Sequence, residues 1–201
     1  MLTSIITGDI IKSRKSDVSE WLPLLERALK RYAVRGKRWE VFRGDSFQVE
    51  VDINQTFEAF IYIKTALKTV RPLDVRMSIG IGTKSFQGKT ISKSNGEVFL
   101  FSGEAFEELK KQNAAIKTPW KETTEELNFV LGLMVFIVEK WNVNQSKTIK
   151  CVFENKEITQ QKLSELLHKN QGQISRELKK AGYEDIQRAI LFCTEKIRSK
   201  C

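Results

Sequence analysis

Residues 41–49, Val-Phe-Arg-Gly-Asp-Ser-Phe-Gln-Val, constrain the fold of this chain more than any other stretch. β-Branched and aromatic residues on both sides of Gly44 and Asp45 predict two strands, over 38–43 and 46–53, joined by a tight turn with an acid at its tip. On the second strand Phe47, Val49, Val51 and Ile53 alternate with Gln48, Glu50 and Asp52, so one face is core and the other wet. A second Gly-Asp pair, Gly8-Asp9, closes the apolar run at the start of the chain. With the first strand paired beside the hairpin, Asp9 and Asp45 meet at one edge of the sheet. Two carboxylates brought together repel unless a cation sits between them.

The remaining periodicities fill in the frame. Residues 1–7 read as a buried strand. Asp17-Val18-Ser19-Glu20 opens a helix whose apolar stripe is Leu22, Leu25, Ala28, Leu29 and Tyr32, ended by Gly36. Asn54 is the expected N-cap of a second helix through Phe57, Phe60, Ile61 and Leu67. Residues 75–82 alternate with Val75, Met77, Ile79 and Ile81 on the buried face. The resulting order, β-α-β-β-α-β, predicts an α+β fold of ferredoxin-like type: an antiparallel sheet with helices on one face. Residues 98–101 read as a short edge strand and 103–113 as a third helix.

Lys117-Thr118-Pro119 breaks the chain, which divides into expected domains 1–117 and 118–201. The second is wholly helical. Its first helix, with Thr123-Thr124-Glu125-Glu126 at its start, is apolar nearly all round and so is expected to be buried, as a spine or in a dimer interface. Helices follow over 144–153, from Thr159, over 171–181 and over 183–198. Residues 159–181 have the pattern of a helix-turn-helix.

The net charge of +9 over 201 residues suits an anionic partner such as nucleic acid, nucleotide or phosphate, and equally a basic protein with none. Three cysteines without C-x-x-C spacing and a single His exclude the usual zinc ligand sets and suit a reducing compartment. The longest apolar run, 129–138, is far short of the roughly 20 residues that span a bilayer. A cytoplasmic protein with no membrane partner is therefore expected.

Asp9, Asp45 and the carbonyl of Ile10 are the candidate ligands for Mg²⁺ or Mn²⁺, since hard cations take oxygen donors and Mg²⁺ is commonly held by one or two carboxylates plus substrate phosphates. Ordinary turn chemistry accounts equally for a Gly-Asp pair. Arg14 and Arg43 are the candidate nucleotide- or phosphate-binding residues. Lys12, Lys15 and Arg76 are weaker candidates, Arg76 because it falls on the wet face of its strand. In the tail, Gln171, Gln173, Ser175, Arg176, Lys179 and Lys180 would offer short polar and basic groups to DNA. Residues 142–201 hold twelve Lys and Arg against seven Asp and Glu, which favours contact with phosphates.

Thr7-Gly8-Asp9, the run from Arg43 through Gly44, Asp45, Ser46 and Phe47 to Gln48, and the strand Arg76-Met77-Ser78-Ile79-Gly80-Ile81-Gly82 together resemble the palm of class III nucleotidyl cyclases and diguanylate cyclases. The resemblance covers residues 1–113. It implies that an acid after the first strand and an acid in the hairpin bind two metal ions, and it implies Gly44 and Lys111 as further nucleotide- or phosphate-binding residues. The hairpin is similar to the G-G-D-E-F signature, with Arg43 and Ser46 at its first and fourth places. The whole chain resembles the bacterial SatD family, which joins such a palm to a C-terminal helix-turn-helix. Asp9, Arg14, Gly44, Asp45, Gln48, Gly80 and Gly82 stand where that family's motifs recur.

The departures bear on catalysis. Glu107 stands where the cyclases place an Asn and Lys111 where they place an Arg, and a carboxylate facing a phosphate repels it. Two classes of function compete. One is a nucleotide- and metal-binding regulator with a DNA-binding tail. The other is an active Mg²⁺- or Mn²⁺-dependent nucleotidyl cyclase or nucleotidyltransferase, which would work as a homodimer. A dimeric scaffold without ligand is the third reading.

Overall fold

The computed structural model describes residues 2–42, 44–110 and 112–200. Up to residue 83 its elements follow the order that periodicity predicts: β1 (Leu2–Ile11), α1 (Val18–Tyr32), β2 (Trp39–Phe42), β3 (Ser46–Val51), α2 (Thr56–Leu67) and β4 (Asp74–Thr83). Then come α3 (Glu97–Glu107) and β5 (Ala114–Lys117). The rest is helical: α4 (Lys121–Glu139), α5 (Val143–Glu154), α6 (Gln160–Leu167), α7 (Gln171–Lys180) and α8 (Tyr183–Arg198).

β1 is the central strand. It pairs antiparallel with β3, from Ser4 opposite Val51 to Asp9 opposite Ser46, and with β4, from Leu2 opposite Thr83 to Ile11 opposite Asp74. The strand order is β2-β3-β1-β4-β5, with β5 parallel to β4. The sheet is therefore mixed, where the sequence predicted an antiparallel one.

Pleat alternation divides the strands between two layers. Ile6, Ile10, Phe47, Val49, Val75, Met77, Ile79 and Ile81 join the core shared with α1 and α2. The even-numbered residues of β4 face the other way, and there α3 lies against the sheet. A Cβ on Gly80 would stand 2.3 Å from the Val98 carbonyl oxygen and 2.4 Å from the Ser102 nitrogen. Ser78 Oγ donates to the Ser102 carbonyl (2.8 Å), and the Thr7 and Ser102 hydroxyls are 2.6 Å apart. Helices thus cover both faces, which corrects the expectation of one. Residues 98–101 belong to α3 and form no strand: Val-Phe-Leu-Phe has strand propensity, but backbone contact with Gly80 and Gly82 outweighs it.

Eleven of the twelve residues of α2 are buried, all but Glu58. The sheet and α1 cover one side, and α4, α5 and α8 cover the other. One apolar cluster consequently runs across residue 118, from Ile6 and Phe60 to Leu131, Phe153 and Ile186. Lys64, fully buried on α2, donates to Asp74 Oδ1 (2.7 Å) and the Val75 carbonyl (3.0 Å). Burial holds its pKa below the usual lysine value, although Asp74 opposes that shift.

The caps are local chemistry. Asp17 accepts from the Ser19 N–H, Thr159 from that of Lys162, and Asn142 and Asn170 form capping boxes with Gln145 and Gln173. Two expected starts differ. Asn54 is no cap, because Asp52 takes its N–H and α2 begins after Gln55. α4 begins at Lys121, before the Thr-Thr-Glu-Glu run, and Thr123 is buried.

Gly80→Ala should cost about 3 kcal/mol, the upper range for an overpacked site, because the added methyl meets α3 backbone that has no other place to go. A lowered urea midpoint at unchanged m-value checks this.

Candidate functional site

β1 leaves the sheet at Ile11, and Lys12 turns the chain with φ of 64° into a 3-10 turn, Ser13–Lys15, ahead of the Asp17 cap of α1. Beside it stands the tip of the β2–β3 hairpin, where Gly44 has φ of 86°, a conformation that favours glycine. Two hydrogen bonds join these loops. The Ile10 N–H donates to the Asp45 carbonyl (3.1 Å), and Ser13 Oγ donates to Asp45 Oδ2 (2.7 Å).

A cavity of about 500 Å³ opens at this junction, lined by Ser13, Arg14, Asp17, Trp21, Gly44 and Asp45 among others. Arg14 is exposed at its rim. Trp21 is 1% exposed, and its indole Nε1 has no hydrogen-bond partner among the described residues. A buried N–H left without an acceptor costs roughly 1–3 kcal/mol.

Asp9 lies one register position from the hairpin tip, with its carboxylate on the face that α3 covers. Ser46 Oγ donates to its Oδ1 (3.3 Å), while Arg76 reaches Oδ2 through Nε (3.1 Å) and Nη2 (3.0 Å). The Arg76 guanidinium also stands over the Phe106 ring at 5.4 Å. The structure thus brings Asp9, Ile10 and Asp45 to one end of the sheet but gives the two carboxylates separate partners. Arg76 supplies the positive charge that Asp9 needs, the role the sequence left to a metal ion.

Among the described residues no group of three or more His, Cys, Asp or Glu side chains could hold a metal. Two carboxylates with substrate oxygens are still enough for Mg²⁺. Arg43 and Lys111 lie outside the described residues. Glu107 is exposed near the end of α3, a helix that carries no Lys or Arg.

In the tail, α6 and α7 are joined by His168-Lys169-Asn170, His168 taking φ of 51°. Leu163 of α6 and Ile174 of α7 pack with Cys151 of α5 in a small core. The six predicted DNA-binding residues of α7 are all exposed. At 100° per residue, Arg176 and Lys179 lie nearest the middle of the face opposite Ile174, followed by Lys180, with Ser175 at one margin. Gln173 sits at its margin, its side-chain oxygen accepting from the Asn170 N–H. Ser175 and Lys179 share a groove of about 560 Å³ with Glu184 and Asp185 of α8.

Other reactive groups are structural. Cys151 and Cys193 are buried free thiols, and burial pushes Cys193 up to about 12. No helix among the described residues is long and apolar enough to cross a membrane. A scan against protein-family models finds no match, and a search of curated proteins finds none.

A second charged cavity, of about 390 Å³, lies toward the far end of the sheet, lined in part by Arg38, Glu50 and Lys84. Glu50 is 3% exposed and accepts from Arg38 Nε (3.0 Å), Lys84 Nζ (2.6 Å) and Thr3 Oγ1 (3.2 Å). Arg38 continues to the Gly88 carbonyl and Ser94 Oγ, so the cluster fastens the 84–95 loop to the sheet. Burial raises the Glu50 pKa, but hydrogen bonds from Lys84 and Arg38 outweigh it and leave the carboxyl below its usual value. Its contribution to stability is therefore complete above the unfolded pKa and is lost as pH falls through the folded one. Glu50→Gln should cost about 3 kcal/mol at pH 7, as for a broken buried ion pair. Urea midpoints at pH 7 and pH 3 should differ less in the variant than in the wild type.

Proposed function

We propose that this protein binds a purine nucleoside triphosphate with Mg²⁺ or Mn²⁺ at the junction of the β1–α1 connection and the hairpin, and duplex DNA through α7, as a nucleotide-responsive regulator. The observation that carries the first half is the cavity between Ser13 and Gly44, with Arg14 and Asp45 in its lining. Hydroxyls, an arginine and a glycine turn suit phosphate oxygens, and Asp45 suits the cation that accompanies them. The strand order β2-β3-β1-β4 and the β-α-β-β-α-β succession support a ferredoxin-like, cyclase-type palm of the kind found in the SatD family.

Asp9 would help Asp45 hold the cation only if Arg76 gave up its carboxylate, and that guanidinium would then be free to meet a phosphate. The exchange explains why the cation should bind together with the nucleotide rather than before it: without phosphate, freeing Arg76 has nothing to offset it. Binding is favoured over cyclisation because α3, which would have to support the transition state, carries no basic residue and ends on Glu107.

For the tail, the supporting features are two short helices, α6 and α7, joined by a tight turn, the exposed face of α7 and the local excess of basic residues. Gly172 near the start of α7 permits close approach to a phosphate backbone.

Calorimetric titration of ATP and GTP should show affinity raised at least ten-fold by Mn²⁺, with the gain absent in Asp45→Ala. Binding indifferent to metal would refute the proposed site. Duplex DNA affinity should fall steeply between 50 and 200 mM salt, and Arg176→Ala should weaken it by about ten-fold, the scale of one lost contact. Unchanged affinity in Arg176→Ala and Lys180→Ala would remove α7 as the DNA-contacting element.

A further inference from the structure

α4 carries more apolar surface than the fold uses. Leu127, Leu131, Met134 and Val138 are buried, yet Phe129, Leu133 and Phe136 are 70%, 51% and 59% exposed. At 100° per residue these three fall on one arc with Gly132, and with Glu125 and Lys140 at its two ends. Asn128 on one side bonds the backbone of edge strand β5, and Glu126 on the other pairs with Lys196 of α8. The stripe is thus framed by elements of the fold and left uncovered itself.

Its order is self-complementary. Running a second α4 antiparallel about the midpoint between Gly132 and Leu133 sets Phe129 against Phe136, Gly132 against Leu133, and Glu125 against Lys140, each pair twice. Nothing lies within 4 Å of where a Gly132 Cβ would be, so a Leu133 side chain from the other copy finds a notch there. A groove of about 430 Å³ between this face and Ala114 of β5 offers depth to the phenyl rings. Lys140 now rests its ammonium 3.6 Å from the Phe136 ring centroid, within reach of a carboxylate brought to the same end. Charge complementarity at both ends and apolar contact between them are what an isologous interface requires.

We infer that α4 is a homodimerisation face, on which a second copy of this chain packs antiparallel across the Gly132–Leu133 midpoint. Two phenylalanines and a leucine from each copy, with the flanking residues, bury on the order of 1,000 Å², near the lower bound of specific interfaces. The dimer is accordingly a concentration-dependent one. The inference does not rest on the nucleotide or DNA reading, since no residue of either surface takes part.

Sedimentation velocity of the full chain from 1 to 200 µM tests it. The wild type should pass from monomer to dimer, and Phe136→Glu should remain monomeric with an unchanged circular dichroism spectrum and melting temperature, its side chain being exposed. Glu125→Lys and Lys140→Glu should each weaken dimerisation at least ten-fold, while the double exchange restores it. A wild type that stays monomeric at 200 µM would overturn the inference, as would a dimer indifferent to Phe136→Glu. Strengthening by Glu125→Lys alone would overturn the antiparallel register, since only parallel helices set Glu125 against itself.

Discussion

α2 has water on almost none of its sides, and most of the architecture follows from keeping it dry. Burying eleven of twelve residues demands cover from two directions. The sheet and α1 supply one, and α4, α5 and α8 the other. Desolvating so much apolar surface is worth roughly 25 cal/mol per Å², so removing the outer cover would expose Tyr62, which packs edge-on to Phe153 of α5, and its neighbours at prohibitive cost. The helical tail is therefore part of the hydrophobic structure of the first 117 residues, whatever else it does. Lys64 shows how strict the condition is: a lysine on this helix survives only with Asp74 and the Val75 carbonyl directly on its ammonium.

Periodicity made the first 83 residues readable because each of their elements buries one face or two in a regular way. It failed between Gly82 and Lys117, where the deciding contacts are between backbones, and it recovered in the helices of the tail. α3 is held by what Gly80 and Gly82 lack, and Val98, Phe99, Leu100 and Phe101 taken alone look like a strand. β5 escaped notice because Ala114, Ala115, Ile116 and Lys117 have little strand propensity. Their pairing with β4 is imposed by the α3 crossover and completed by Asn128, whose side chain bonds both the N–H and the carbonyl of Ile116. The apolar excess of α4 was visible, and the expectation of burial had to be divided: half its surface faces the core and a stripe does not.

At the candidate site the Gly-Asp pairs marked the right end of the sheet. Two features were beyond local reading. The Arg76 partnership depends on the antiparallel β1–β4 register that sets Asp9 opposite Arg76, a relation between residues 67 positions apart. The cavity beside Trp21 is the other, since it exists only where the loop carrying Ser13 to Ser16 meets the hairpin tip. The extent of α7, by contrast, was legible from the helical period, and the six polar and basic residues named on it are all exposed.

One helix joins the proposed nucleotide site to the tail. α1 begins at the cavity with Asp17 and Trp21, and about 22 Å further on, at 1.5 Å per residue, Arg31 donates to the Phe153 carbonyl of α5 (2.9 Å). α5 in turn meets α7 through Thr148 Oγ1, which donates to Glu177 (2.6 Å). Intermediacy in space is not coupling, because two sites communicate only through an element with two arrangements that each ligand favours differently. The packed aromatic run of Tyr32, Tyr62, Phe153 and Tyr183 offers no such freedom along this line, its rings standing 5.3–6.1 Å apart in tilted and edge-on contacts. The proposed exchange of Arg76 between Asp9 and a phosphate would have two arrangements, with the guanidinium over Phe106 of α3 in the one the structure shows. A response to nucleotide would therefore be felt first on the α3 face of the sheet, and reach α7 only if α3 and β5 passed it to α4.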